Sequence, residues 1–265
     1  MRFLIQKSGG KVLYDFVFAL QQAVGYFDWR GGEKLVLKAV NCEDGAGPDA
    51  DWRDFPGVSR PDAWTPVGSV EFVSQYLRRF YPGAVEALRP LNVPARLFQY
   101  AGRFVCDVRH RSDAGLLPFA DDDVIYRKSL DVIKHTDNGM VRYMDALKDG
   151  LVGFQVSGVL DFVSEWRVLV FHGDVLHCAN YSGDPLRFPD PDSIVTMVEA
   201  YGDDAPAAWT LDVGVTVNGD TVVVECHRFF SCGLYGFNDY LRLPAMLSQT
   251  WYQMRTTSGA ADIKQ

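Results

Sequence analysis

The chain lacks any apolar run approaching the ~20 residues that a membrane-spanning helix needs. Its first apolar stretch, Phe3-Leu4-Ile5, is too short for a secretory signal before Lys7 and Gly9-Gly10 interrupt it, so no membrane partner is expected. Basic charge is not in excess: 26 Lys and Arg face 34 Asp and Glu, a formal net charge of -8. A sequence-independent nucleic-acid binder needs a net basic surface to displace counterions and is therefore not expected, although a local basic groove remains open. A disulfide framework is also missing. The five cysteines, Cys42, Cys106, Cys178, Cys226 and Cys232, are odd in number and irregularly spaced. That pattern fits free thiols in a reducing, cytoplasmic compartment. There is no internal repeat and no low-complexity tract, and a 48% apolar composition excludes wholesale disorder.

What is present divides into a helix-and-turn half and a strand-rich half, with the change near residue 100. Phe3–Ile5 reads as a strand, Lys11–Tyr26 as a helix on Val12, Phe16, Leu20 and Val24, and Leu35–Val40 as a second strand. Residues 43–66 read as an irregular segment rich in Gly, Pro and Asp. Ser69 caps a helix that Tyr81-Pro82-Gly83 ends. Strands follow at Arg103–Val108 and Val124–Ser129, then a short helix at Val141–Leu147. Phe162–Phe171 and Val175–Tyr181 pair around His172-Gly173-Asp174. Asp190-Pro191 opens a helix that Gly202 closes, and Leu243–Arg255 forms a last one. The expected organisation is an N-terminal α/β domain over 1–100, a core over 101–255 and a loose tail over 256–265.

The most informative stretch runs from Leu211 to His227. Asn218-Gly219 between two β-rich runs is a strong hairpin signal. A two-residue turn places Asp212 directly opposite Glu225. It puts Leu211, Val213, Val215, Val222, Val224 and Cys226 on one face. Asp212, Gly214, Thr216, Thr221, Glu225 and His227 then share the other. Opposed carboxylates repel and need compensation, which a hard divalent cation supplies. The competing reading is a solvated hairpin edge, and a three-residue loop would shift the register. Cys226 falls on the apolar face and reads as core. A zinc site from His177-Cys178, Cys226-His227 and Cys232 lacks finger-type ligand spacing.

Lys128 ends a strand-like run, and Lys134 follows across a short segment before the polar turn His135–Gly139. Two ammonium groups beside a flexible loop suit a polyphosphate. Glu165 and Arg167 share a strand face opposite Trp166, where Arg167 suits a phosphoryl group in transfer. Each of these charges, taken singly, also reads as an ordinary surface residue.

In order, Lys128, Lys134, Glu165-Trp166-Arg167, Asp212 and Val224-Glu225-Cys226-His227 resemble a divergent clade of ATP-grasp proteins typed by one arginine and two lysines. The clade includes bacterial and phage proteins and a eukaryotic translation-initiation assembly factor. Pro66–Val73, Pro90-Leu91-Asn92-Val93-Pro94 and Gly233-Leu234-Tyr235-Gly236 extend the similarity over residues 60–255. The resemblance implies an α+β fold: a two-lobed ATP-grasp-like core with mostly antiparallel sheets, preceded by a small α/β domain. It implies ATP and Mg²⁺ as cofactors. Lys128, Lys134 and Arg167 would contact ATP, with Lys134 and Arg167 serving catalysis. Gln155, Val156, Ser157, Gly158, Val159 and Leu160 would form the adenine hinge, and Asp161 would meet the ribose. Asp212, Glu225 and His227 would hold the metal, His227 standing where the family usually has Asn. The implied reaction joins a small-molecule, peptide or protein carboxylate to an amine or related nucleophile through an acylphosphate. Residues 135–140 would serve as a lid, and Phe229–Gly236 would line the acceptor pocket. Alternatives are a non-catalytic ATP-binding assembly factor and a transferase of another ATP-derived group.

Overall fold

A computed structural model describes residues 1–42 and 60–257. The irregular segment expected over 43–66 lies outside the described residues up to 59, as does the tail beyond Thr257. The chain begins with β1 (Arg2–Lys7), α1 (Asp15–Arg30), β2 (Val36–Asn41), β3 (Thr65–Val67) and α2 (Val70–Phe80). Next come β4 (Val105–Val108), α3 (Arg111–Ala114), β5 (Val124–Ser129), β6 (Gly139–Arg142), α4 (Tyr143–Asp149) and β7 (Phe154–Gly158). It ends with β8 (Phe162–Phe171), β9 (Asp174–Gly183), α5 (Pro191–Tyr201), β10 (Ala208–Thr216), β11 (Thr221–Arg228) and α6 (Leu243–Thr256).

Two compact units result, counted over the described residues. One comprises Met1–Leu88, Pro206–Ala208 and Phe229–Gln265; the other comprises Arg89–Ala205 and Trp209–Arg228. The division therefore falls earlier than residue 100. The chain beyond Arg228 joins the N-terminal unit instead of the core that was expected to reach 255. The cause is α6, whose Trp251 and Met254 pack with Leu4, Phe72, Tyr76 and Leu77 in one buried cluster.

The first unit carries a three-stranded sheet in the order β2-β1-β3, all parallel. Helix α1 starts at Asp15 and not at Lys11. Ser8 and Lys11 exchange backbone hydrogen bonds at 2.9 Å, which turns the chain there. Asp15 Oδ1 then accepts from Phe16 N at 2.8 Å. Ser69 caps α2 as expected, its Oγ accepting from Phe72 N at 3.1 Å. Gln6 is buried beneath that turn. Its Nε2 donates to Cys42 O at 3.0 Å, and its Oε1 accepts from Ser69 N at 2.7 Å. A Cβ on Gly68 would lie 2.6 Å from Gln6 Cβ, so only glycine fits between β3 and α2.

The second unit has two four-stranded sheets, β11-β10-β8-β9 and β4-β7-β5-β6. Five strand pairings in them are antiparallel: β10 with β11, β8 with β9, β4 with β7, and β5 with both β6 and β7. Its main core joins Leu211, Val213, Val215, Val223 and Cys226 to the apolar face of α5, Ile194, Met197, Val198 and Tyr201. A smaller cluster packs α4 residues Tyr143 and Ala146 against Val108, Ile125 and Val156. The expected class holds: α+β, with antiparallel sheets in one unit and a small parallel sheet in the other. Among the described residues no helix is long and apolar enough to cross a membrane.

Candidate functional site

The site grows from the β10–β11 hairpin. Its turn is not the two-residue one expected. Thr216 N donates to Asp220 O at 2.9 Å, so the loop holds Val217, Asn218 and Gly219, with Gly219 at φ +92. Near this loop Val213 pairs with Val223 and Gly214 with Val222. The register then shifts between Asp212 and Val213, leaving Val224 as an extra residue on β11. Beyond the bulge Asp212 pairs with Glu225, as the two-residue turn had implied. The longer loop and the bulge each displace the register by one residue, in opposite senses. Between them the faces change: Val223 enters the core, and Val222 opposes Gly214 on the other side.

Arg103 holds this bulge. It donates through Nη1 to Val223 O at 2.8 Å and to Ala101 O at 2.9 Å, and through Nη2 to Val224 O at 3.3 Å. Nothing in the local sequence marks Arg103 for this task, because its partners in the bulge, Val223 and Val224, lie more than a hundred residues away.

Each carboxylate has its own cation. Arg167 on β8 grips Asp212 bidentately, Nε to Oδ1 at 2.8 Å and Nη2 to Oδ2 at 2.7 Å. Asp212 is 1% exposed and the Arg167 side chain 12%. Lys128 at the end of β5 pairs with Glu225 Oε2, and His227 Nε2 stands 3.0 Å from Glu225 Oε1. Burial alone raises the Glu225 carboxyl. The hydrogen bond and charge of His227 and the Lys128 ammonium outweigh it and hold the group well below its ordinary 4.5. One ligand atom from each of Asp212, Glu225 and His227 lies within 4.8 Å of the others. Two hard carboxylates so placed fit a divalent cation, since each bonded oxygen keeps a lone pair, and a neutral His227 imidazole can join them through the ring nitrogen that carries no proton. No other group of three or more His, Cys, Asp and Glu among the described residues converges in this way. Cys226, by contrast, is in the core.

A pH dependence follows. The folded Glu225 pKa lies below the unfolded one. Its stabilising contribution is thus present above pH about 4.5 and is lost as pH falls toward the depressed value. Denaturation curves of the wild type and Glu225→Gln should differ most near neutrality and converge in acid. A gap unchanged down to about pH 2 would show that the Glu225 charge does not stabilise the fold.

Against the Lys128–Glu225 pair lies a cavity of about 430 Å³; Arg167, Asp212 and His227 are not among its lining residues. Lys128, Glu225, Arg103, Glu165 and Tyr181 supply its polar wall; Tyr126, Met140, Leu160 and Phe162 supply an apolar one. The Tyr181 hydroxyl donates to Glu165 Oε2 at 2.9 Å, and burial pushes its phenol far above the ordinary tyrosine value.

The expected hinge residues divide. Gln155, Ser157, Gly158, Val159 and Leu160 line the cavity, as does Asp161, the expected ribose partner. Val156 is fully buried in the small cluster. Residues 154–158 are the strand β7, paired with β4 on one side and β5 on the other. Beyond β7 the cavity is lined by Val159, Leu160, Asp161 and Phe162. Lys134, at φ +59 in the loop between β5 and β6, is not among the lining residues. That loop, expected as a lid, is tied to β5. Arg127 Nε donates to Asp137 O at 3.0 Å, and Ser129 N donates to Asn138 Oδ1 at 2.7 Å. The segment Phe229–Gly236 falls in the first unit, with Phe229, Cys232 and Leu234 buried.

Residues 126–243 match the model of the ATP-grasp domain, R2K clade family 2. The structure is similar to that of D-cycloserine synthetase, with a TM-score of 0.51 and 14% identity over 95% of this chain and 100% of that one. It is also similar to the ATP-grasp ligase PsnB in complex with its minimal precursor (0.51; 12% identity; 94% and 99% covered). A third similar structure is the N5-carboxyaminoimidazole synthetase of Staphylococcus aureus (0.52; 12%; 94% and 77%). At these identities the likeness is one of fold. No curated protein sequence matches the chain.

Proposed function

We propose that this chain, whose residues 126–243 match the model of the ATP-grasp domain, R2K clade family 2, is an ATP-dependent ligase joining a carboxylate to an amine or related nucleophile. The observation that carries this reading is the Lys128–Glu225 contact against a cavity with one apolar wall. An adenine base suits Tyr126, Met140, Leu160 and Phe162 with the backbone of 159–161, and Asp161 suits the ribose hydroxyls. Lys128 and Arg167 supply positive charge for the phosphates. Lys134 joins them if its loop closes over the cavity. A divalent cation held by Asp212, Glu225 and His227 would neutralise phosphate charge. The acid's carboxylate oxygen attacks the γ-phosphorus and ADP departs. The amine then attacks the acyl carbon and phosphate departs. The partners are small-molecule, peptide or protein acids and amines.

One observation favours a second reading, an ATP-binding module without chemistry. Asp212 and Glu225 are already charge-balanced by Arg167 and Lys128. Two measurements separate the readings. ATP with Mg²⁺ should raise the melting temperature, because a ligand selective for the folded state stabilises it. ADP should then be released with a pool of amino acids and peptides, with a condensation product seen by mass spectrometry. Absence of any thermal shift at saturating MgATP would overturn both readings. A shift without ADP release from any acid–amine pair would leave the binding module.

A further inference from the structure

The geometry points to Asn92 as a positioning residue that ties the strand bearing Lys128 to the strand bearing Glu225. The inference rests on the nucleotide site proposed above. Asn92 is 6% exposed and sits at φ +48, a left-handed conformation that Asn tolerates better than most residues. Its backbone carbonyl accepts from Cys226 N at 2.6 Å, and its side-chain Nδ2 donates to Ser129 O at 2.9 Å. Cys226 directly follows Glu225, and Ser129 directly follows Lys128. One residue thus bonds the neighbours of both partners of the Lys128–Glu225 pair.

The following residue completes the tie. Val93 N donates to Gln155 Oε1 at 3.0 Å, and Val93 O accepts from Gln155 Nε2 at 2.9 Å. Gln155 Nε2 also donates to Asp107 Oδ1 at 2.9 Å. Two consecutive residues therefore reach β11 in one sheet and β5 and β7 in the other, and Gln155 carries the tie on to β4. This explains the Pro90-Leu91-Asn92-Val93-Pro94 run, which contributes no charge to the site. It also gives Gln155 a role other than reading a base, since both ends of its amide are engaged within the protein.

The physical need is clear from the two sheets. β5 and β11 are not paired strands, so no ladder fixes their separation. Lys128 has a flexible four-carbon stem, and a lone ion pair between flexible side chains sets position poorly. A buried residue bonded through its carbonyl to Cys226 N and through its side-chain amide to Ser129 O sets it well. Its loss should leave Lys128 present but wrongly placed for a phosphate.

The test is a double-mutant cycle on MgATP affinity, measured by calorimetry on the full chain. Asn92→Gly keeps the left-handed backbone and the carbonyl bond to Cys226 while removing the amide. It should weaken MgATP binding about tenfold in the wild-type background and less than about twofold in Lys128→Met, because coupled residues are not additive. Equal weakening in both backgrounds would overturn the positioning role and leave the nucleotide site intact. Unchanged affinity in Lys128→Met would overturn the inference together with the site assignment. If Asn92→Gly melts below the assay temperature, Asn92→Asp serves instead. It keeps the size and backbone preference but sets a carboxylate against the Ser129 carbonyl, and the same non-additive pattern is expected.

Discussion

Glu225→Gln should lower MgATP-dependent turnover by at least about a hundredfold, the scale expected when a group that stabilises transition-state charge is removed. The substitution is isosteric, so the loss isolates charge from shape. Glu225 meets Lys128 on one oxygen and His227 on the other, and it lines the cavity. A neutral amide keeps neither the attraction for a divalent cation nor that for the ammonium. Sequence reasoning from two opposed carboxylates suggests that the change relieves repulsion and leaves the free protein equally stable or slightly stabilised. The structure reverses that expectation. Arg167 already neutralises Asp212, and Glu225 is held by two partners of its own. The variant should therefore lose about 1–3 kcal/mol, the usual worth of hydrogen bonds to charged groups. Urea denaturation in parallel with ADP release separates the two effects. Turnover that merely followed the folded fraction would mean that Glu225 has a structural role alone.

The parts of the fold legible in the sequence were those governed by neighbouring residues. Helix α2 lies between its Ser69 cap and the Tyr81-Pro82-Gly83 stop, and β5 and β8 span the residues their patterns indicate. Strand β3 escaped notice because Thr65-Pro66-Val67 is short and contains a proline, which only an edge position tolerates. Strand β6 was hidden in a polar turn; its Gly139 and Met140 acquire strand geometry by pairing with Arg127 and Tyr126. The opposition of Asp212 and Glu225 was legible, but by a route that omitted two compensating features. The three-residue loop needed a one-residue bulge, and that bulge has its carbonyls held by Arg103. Arg103 and Asn92 both act on strands far along the chain. Their types and spacing carry no sign of those partners, so only the folded structure exposes them.

Asp212→Ala is expected to be among the most destabilising single changes in the second unit, costing about 3–5 kcal/mol. That is the range for removing one partner of a buried ion pair. Arg167, with its side chain only 12% exposed, would lose its bidentate carboxylate. Its cation–π contact with Tyr181, 5.8 Å from the ring centroid, offers small compensation. The double variant Asp212→Leu with Arg167→Met removes both charges at similar volume. It should recover most of the lost stability, because a buried ion pair often breaks even against a packed apolar pair. Turnover should not recover, since the substitutions remove together the carboxylate proposed to hold the metal and the guanidinium proposed to face the phosphates. Stability from denaturant midpoints and activity from ADP release would thus part company in the double variant. Recovery of both would reduce the Arg167–Asp212 pair to a structural element. Recovery of neither would mean that the pair fixes the packing of β8 against β10, which aliphatic side chains cannot reproduce.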